Sequence, residues 1–305
     1  MSTFEPLHLS LPATSANLGP GFDTLGLAMA LYLTIDAEAA PEFSIQATGR
    51  NADLCARLDR NLVFSTYRNI LQQSNQPIQP IRLILHNEIP LGMGCGSSAS
   101  ALLAGVLLAN HFGNLGWSAE QILTEACRRE GHPDNVAACW RGGMTISSMT
   151  GSRVSTATCG TNLNWNLMLA LPSASLATAK ARALLPPTYT RADAVTNIQN
   201  AALLVAAFAQ NRPELLHTAM ADRLHQPYRK QACPLLPRLL PLVDHPGVYG
   251  VALSGAGPSI LLITDSTADK QSLVNAIRHA ASDPLLEILQ TTIAHGVTVN
   301  GAVAG

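Results

Sequence analysis

Six consecutive residues, Glu130-Gly-His-Pro-Asp-Asn135, bring two carboxylates, an imidazole and a carboxamide into one short connection. Such a density of titratable groups beside a Gly and a Pro is unusual in a plain link. Taken alone, it reads either as a solvated loop with a helix cap or as a site for acid–base or charged-ligand work. A second candidate is Pro90-Leu-Gly-Met-Gly-Cys-Gly-Ser-Ser-Ala-Ser100. Glycine lets a backbone approach a phosphate closely, and the first N–H groups of a following helix have no internal partner, so this loop can hold an anion. It has no Lys, which excludes the Gly-x-x-x-x-Gly-Lys-Ser/Thr phosphate loop, and its spacing Gly92-x-Gly94-x-Gly96 is not the dinucleotide fingerprint. By glycine content alone it reads equally as a tight turn before a core helix. Third, Pro12 to Asp23 is full of turn formers and carries Asn17 and Asp23, which suit a ligand or their own backbone.

The patterns around these groups supply the elements that must position them. Leu7, Leu9 and Leu11 alternate as a first strand leading into the Pro12–Asp23 loop. Phe43, Ile45 and Ala47 suggest another strand, and Arg60-Asn-Leu-Val-Phe64 starts a helix. Ile81, Leu83 and Leu85 predict a strand ending near Asn87, just before the glycine loop. After the loop, Ala99 to His111 reads as a buried helix closed by Gly113. Ser118-Ala-Glu-Gln121 is a capping box opening a helix that runs to Arg129. Thr145 to Met149 and Leu167 to Leu171 read as strands, with a domain change around 155–165 between them. Ala192 to Gln210, Pro213 to Arg223 and Ala268 to Ala281 read as helices, Pro213 standing at a first turn. Tyr249 to Leu253 and Ile260 to Ile263 are short strands around Ser254-Gly-Ala-Gly-Pro258, in shape a good hairpin turn, and Thr291 to Val299 is a last strand.

Bulk properties narrow the function classes. At 305 residues the chain can bury a sizeable core, in two modest domains or one large one. A formal net charge of −1 with only 13% charged residues gives no electrostatic reason to expect nucleic acid or an anionic membrane as partner. The cysteines, at positions 55, 95, 127, 139, 159 and 233, form no Cys-x-x-Cys pair, and no signal-peptide pattern is found. Reduced thiols in a cytoplasmic protein are therefore expected. The longest apolar run, in the helix after the glycine loop, is too short and too Ala-rich to demand a membrane.

Several of these stretches together resemble one family. Pro90 to Ala99 is similar to the nucleotide loop of the GHMP kinases, small-molecule kinases of galactose, homoserine, mevalonate and phosphomevalonate, with Cys95 where Leu is usual. Ala16-Asn-Leu-Gly-Pro-Gly-Phe-Asp23-x-Leu-Gly26 resembles the first motif in the form found in the homoserine-kinase branch, and Ser254-Gly-Ala-Gly-Pro258 resembles the third. Glu130-Gly-His-Pro-Asp-Asn135 is similar to that branch too, with a shorter link between Glu and His than in some members. Two arginine segments match as well: Thr178-x-x-x-Arg182-x-x-Leu-Pro186, and Gln226-Pro-Tyr-Arg229 with Gln226 in place of the usual Glu.

The resemblance implies a two-domain α+β fold, a nucleotide-binding α/β domain over residues 1–160 and a ferredoxin-like C-terminal domain over 161–305, with an open cleft between. It implies ATP on the segment Pro90, Leu91, Gly92, Met93, Gly94, Cys95, Gly96, Ser97, Ser98, Ala99 and Ser100, with Asn61 and Val63 near the base. With no loop Lys, Mg²⁺ is implied on Ser98 and Glu130, Glu125 being the alternative carboxylate. For L-homoserine it implies Asp23 at the ammonium, Arg182 and Arg229 at the carboxylate, and Asn17, Thr178, His132 and Asn135 around the rest. His132, Asp134 and Asn135 are the candidate catalytic groups; Asp134 is the first choice of base, His132 the second, and the phosphate itself a third. A homodimer is implied at the family level. Another GHMP kinase acting on mevalonate or a sugar, and a catalytically dead ligand-binding member, are the alternatives; intact Ser98 and Glu130 speak against the second.

Overall fold

The structure, a computed structural model, describes residues 4–151 and 153–304. Among them, twelve strands form two sheets. The first contains β1 (Leu7–Asn17), β2 (Gly21–Ala39), β3 (Ser44–Gly49), β4 (Ile81–Asn87), β5 (Met144–Thr150) and β6 (Arg153–Cys159). The second is built from β7 (Trp165–Leu171), β8 (Val248–Leu253), β9 (Ile260–Asp265) and β10 (Glu287–Thr292); β11 (Thr298–Val299) and β12 (Ala302–Val303) return to the first. The first sheet runs β12-β11-β1-β2-β4-β3, with β5 on the far half of β2 and β6 beyond it. The second runs β10-β7-β9-β8 with every neighbour antiparallel. In chain order that is 4-1-3-2, the ferredoxin-like arrangement.

The glycine-loop helix, Ser97–Phe112, lies at the centre of the N-terminal half. Eleven of its sixteen residues are buried, so its sequence shows no polar face. It packs between the helix Leu62–Gln73 and the helix Ala119–Glu130, whose Ser118–Gln121 capping box forms as the sequence predicts. The C-terminal sheet packs its own apolar cluster, including Leu236, Leu253, Leu262 and Ile277, against the helix Lys270–Ala281.

Five stretches differ from the sequence reading. Pro12–Asp23 is mostly strand: β1 continues to Asn17, a three-residue turn follows, and β2 begins at Gly21. β2 itself, nineteen residues long, escapes the alternation rule because Leu25 to Met29 is buried throughout. The crowded connection after Glu130 is short, since a helix already begins at Asp134. Pro213–Arg223 is a 3₁₀ turn and one α turn ending at Ala219, after which the Asp222 carboxylate takes the backbone N–H groups of Leu224, His225 and Gln226. Side chains of that kind compete with helix continuation. Finally, Thr291–Val299 is not one strand: β10 ends at Thr292 in the second sheet, and the chain crosses to pair Thr298 and Val299 with β1 in the first.

Candidate functional site

The glycine loop joins β4 to its helix with Gly92, Gly94 and Gly96 all at positive φ. Two of them are needed for space as well as conformation. A Cβ on Gly94 would stand 2.2 Å from the Ser254 carbonyl oxygen, and one on Gly96 would stand 1.9 Å from Thr14 Oγ1. Gly96 caps the helix without any side-chain hydrogen bond, so the first N–H groups lack a side-chain cap at the positive end of a sixteen-residue helix. The loop is braced from behind. Thr14 N donates to the Cys95 carbonyl, Ser254 Oγ bonds Gly94 O at 2.8 Å, and Gly255 N donates to Ala16 O. The Cys95 side chain points inward, where burial pushes its thiol up to about 12.

Beyond the helix start, Ser98 Oγ donates to Glu130 Oε2 at 2.9 Å. Burial, opposed by His132 and Ser98 and assisted by the Asp134 charge, raises the Glu130 carboxyl. A carboxylate and a hydroxyl side by side at a helix N-terminus are a hard-oxygen pair that fits Mg²⁺ beside a phosphate. Glu125 is elsewhere: its carboxylate takes Nε and Nη2 of Arg128 at 2.9 and 2.8 Å and Nε of Arg129 at 2.6 Å. The two acids are about 1.4 helical turns apart, and only Glu130 lies at Ser98.

Opposite stand the charged groups. Arg182 grips Asp23 with two parallel bonds of 2.9 and 2.6 Å, an ion pair about a third exposed on each side. Arg229 is buried; burial first, then the Arg182 charge, holds its pKa below the ordinary value. Both guanidinium carbons lie 5.4 Å from the Phe22 ring centre. His132 Nδ1 meets Asp134 Oδ1 at 2.6 Å, and the same oxygen accepts Asn135 N–H at 2.7 Å. Burial lowers the imidazole, but the Asp134 bond and charge outweigh it, so the His132 pKa is raised. Asp134 Oδ2 has no hydrogen-bond partner among the described residues. Oxygen and nitrogen atoms of Asp23, His132 and Asp134 lie within 4.8 Å of one another, yet Arg182 occupies both Asp23 oxygens, so the trio is an ion-pair network rather than an open cation site.

One cavity of about 150 Å³ gathers most of the predicted residues. Asn17, Asp23, Gly92, Gly94 to Ser98, Glu130, His132, Asp134, Asn135, Thr178, Arg182 and Arg229 all line it. Asn61, Val63 and Leu91 line an adjoining apolar hollow of about 390 Å³ that shares Gly92, Ser97 and Ser98 with the first. Pro90, Met93, Ala99 and Ser100 line neither; Ser100 is buried and bonds the carbonyls of Pro12 and Gly96, so its part is to hold the loop. Asn61 caps its helix through Val63 N and Phe64 N, and Asn17 spends its amide on Gly255 O and Asp23 N. Asn17, Leu18 and Asp23 all have positive φ, and Leu18 pays strain that Asn and Asp tolerate better. Sequence reasoning missed Thr14, Phe22, Leu176 and His225. Phe22 adjoins Asp23, and His225 stands one helical turn before Arg229, signals that spacing offers only once the arginine is suspected.

Comparison with known proteins finds relatives over nearly the whole chain. The family described as GHMP kinases N terminal domain matches residues 61–143, and GHMP kinases C terminal matches 204–283. A homoserine kinase of Solibacter usitatus is 47% identical over 256 residues, 84% of each chain. One of Clavibacter michiganensis is 35% identical over 98% of this chain and 95% of its own. The crystal structure of homoserine kinase from Cytophaga hutchinsonii superposes with a TM-score of 0.81 at 25% identity, covering 98% of both chains.

Proposed function

The chain belongs to the GHMP kinase family, among its homoserine kinases, and from that membership we propose that it transfers the γ-phosphoryl group of ATP to the side-chain hydroxyl of L-homoserine. One observation carries the reading: an anion-binding helix start and a Ser98–Glu130 oxygen pair share a cavity with Asp23, Arg182 and Arg229, the charges a zwitterion requires.

The triphosphate lies along the loop N–H groups and the helix end, with the base in the apolar hollow beside Asn61 and Val63. Ser98 and Glu130 would hold Mg²⁺, which would supply charge neutralisation on the phosphates. The ammonium of homoserine replaces the Arg182 guanidinium on Asp23, and its carboxylate takes Arg182 and Arg229. The acceptor hydroxyl then forms its bond to the γ-phosphorus as the bond to the bridging oxygen of ADP breaks. Asp134 Oδ2, with its other oxygen fixed by His132 and Asn135, takes the hydroxyl proton. Thr178 and Asn135 line the wall that orients the chain of the substrate.

The same proposal divides the chain into 1–160 and 161–305, with β11 and β12 of the second part added to the first sheet. Among the described residues no helix is long and apolar enough to cross a membrane. A cytoplasmic homodimer is the assembly proposed with this activity, and sedimentation tests the dimer. The activity is tested by coupled ADP release over a panel of alcohols. L-homoserine should give the highest kcat/KM; faster turnover of mevalonate or a sugar would refute the assignment.

A further inference from the structure

Arg229 is held by neighbours that have no part in the reaction above. Its Nε donates to the Ala181 carbonyl at 3.3 Å; its Nη1 donates to the Gly255 carbonyl at 3.3 Å and meets Nδ1 of His225 at 3.2 Å. A guanidinium has five N–H donors, so these contacts use Nε and both hydrogens of Nη1. Nη2 is left without a partner among the described residues, on an arginine that lines the substrate cavity.

His225 is fully buried, and its other nitrogen, Nε2, lies 2.8 Å from the carbonyl of Gly19 in the turn between β1 and β2. A carbonyl only accepts, so Nε2 carries the hydrogen; a guanidinium only donates, so Nδ1 is bare. The two partners fix one neutral tautomer. Burial, opposed by Asp222 and reinforced by the Arg229 charge, keeps the imidazole pKa below its ordinary value, in agreement with that geometry. Asp222 fixes the backbone of the same element by accepting the N–H groups of His225 and Gln226 at 2.9 and 2.6 Å.

We propose that His225 is a positioning residue for the substrate carboxylate: its bare Nδ1 holds Arg229 so that Nη2 is free for the ligand, while its Nε2–H ties that arginine to the turn leading to Asp23. The two ends of an α-amino acid are thereby held at a fixed separation. This rests on the reading above that Arg229 binds the carboxylate.

Two substitutions separate the ring nitrogens. His225→Asn carries its amide near the Nδ1 position, where the oxygen can accept from Arg229. His225→Gln reaches the Nε2 position, where the amide can donate to Gly19 but no acceptor remains for Arg229. His225→Gln should raise KM for homoserine by roughly tenfold with KM for ATP little changed, and His225→Asn should recover most of that loss. The preference for homoserine over homoserinol, which lacks the carboxylate, should fall in His225→Gln and persist in His225→Asn. Equal losses on both substrates in both variants would mean that His225 acts through the fold alone and overturn the proposal. Arg229→Ala run in parallel separates the two readings. An unchanged homoserine KM there would remove the carboxylate site itself, whereas a raised KM with wild-type behaviour in His225→Gln overturns only the role of His225. Should neither His225 variant fold, ¹⁵N chemical shifts of the wild-type imidazole decide. Hydrogen on Nε2 alone is expected; the opposite tautomer or an imidazolium refutes the arrangement.

Discussion

Arg182 and Arg229 should not be equivalent, although the proposed function sets both at the same substrate carboxylate. In the free protein Arg182 is already paired with Asp23 through two bonds, and Arg229 has no carboxylate partner among the described residues. A charge-assisted hydrogen bond to substrate contributes about 1.5–3 kcal/mol. For Arg182, part of that gain is offset by loosening its ion pair; with side chains 37% and 34% exposed, the pair is worth about 1 kcal/mol at most. The net loss on Arg182→Ala is then about 0.5–2 kcal/mol, a rise in homoserine KM of roughly 2–30-fold. Arg229→Ala has no such offset and should raise KM by roughly 10–150-fold. The assay is steady-state KM for L-homoserine at saturating ATP, with urea unfolding of each variant to confirm that it is folded. KM for ATP should barely move in either. If Arg182→Ala raises the homoserine KM as much as Arg229→Ala or more, the ion pair is not remade on binding and the reasoning fails.

Other consequences concern the acids and the loop. Ser98→Ala and Glu130→Gln should each cut the Mg²⁺-dependent rate by about two orders of magnitude while leaving the unfolding midpoint near wild type, and full activity in Glu130→Gln would remove the metal assignment. Glu125→Gln should do the reverse. Although burial raises the Glu125 carboxyl, Arg128 and Arg129 bring it below its ordinary 4.5, so its stabilisation is present above that value and lost as pH falls through the lowered one. The variant should keep wild-type kcat, lose about 1 kcal/mol in urea titrations at neutral pH, and show a smaller loss of stability on acidification; a drop in kcat instead would place Glu125 at the site. Gly94→Ala and Gly131→Ala both put a side chain at positive φ, which costs about 1–2 kcal/mol. Only at Gly94 does the new Cβ meet backbone, 2.2 Å from Ser254 O, so Gly94→Ala should be clearly the less stable and should also bind ATP more weakly by calorimetry. Equal melting temperatures for the two would mean that the third motif is not packed on the loop as described.

Local patterns were enough wherever the deciding residues are neighbours in sequence. The alternation of Ile81, Leu83 and Leu85, the Ser118–Gln121 capping box and the glycine spacing at 92, 94 and 96 announced strand, helix start and tight glycine loop, because each is set by backbone conformation within a few residues. Motif residues likewise marked nearly all of the cavity lining before any fold was known. Tertiary structure decided what depends on distant partners. The Leu25–Met29 stretch of β2 has no legible period because both its faces are buried, and the chain's crossing from β10 in the second sheet to β11 beside β1 in the first depends on partners distant in sequence. The short link between Glu130 and His132, set against the family pattern, left either Glu125 or Glu130 as the acid beside Ser98; packing places Glu130 there and turns Glu125 toward Arg128 and Arg129. The family resemblance implied Asp23 and Arg182 at opposite ends of a ligand, and only their approach across 159 positions revealed that they pair with each other. His225 gave no signal of its own, since its tautomer is fixed by Gly19 and Arg229, groups that only the folded chain brings to its two nitrogens.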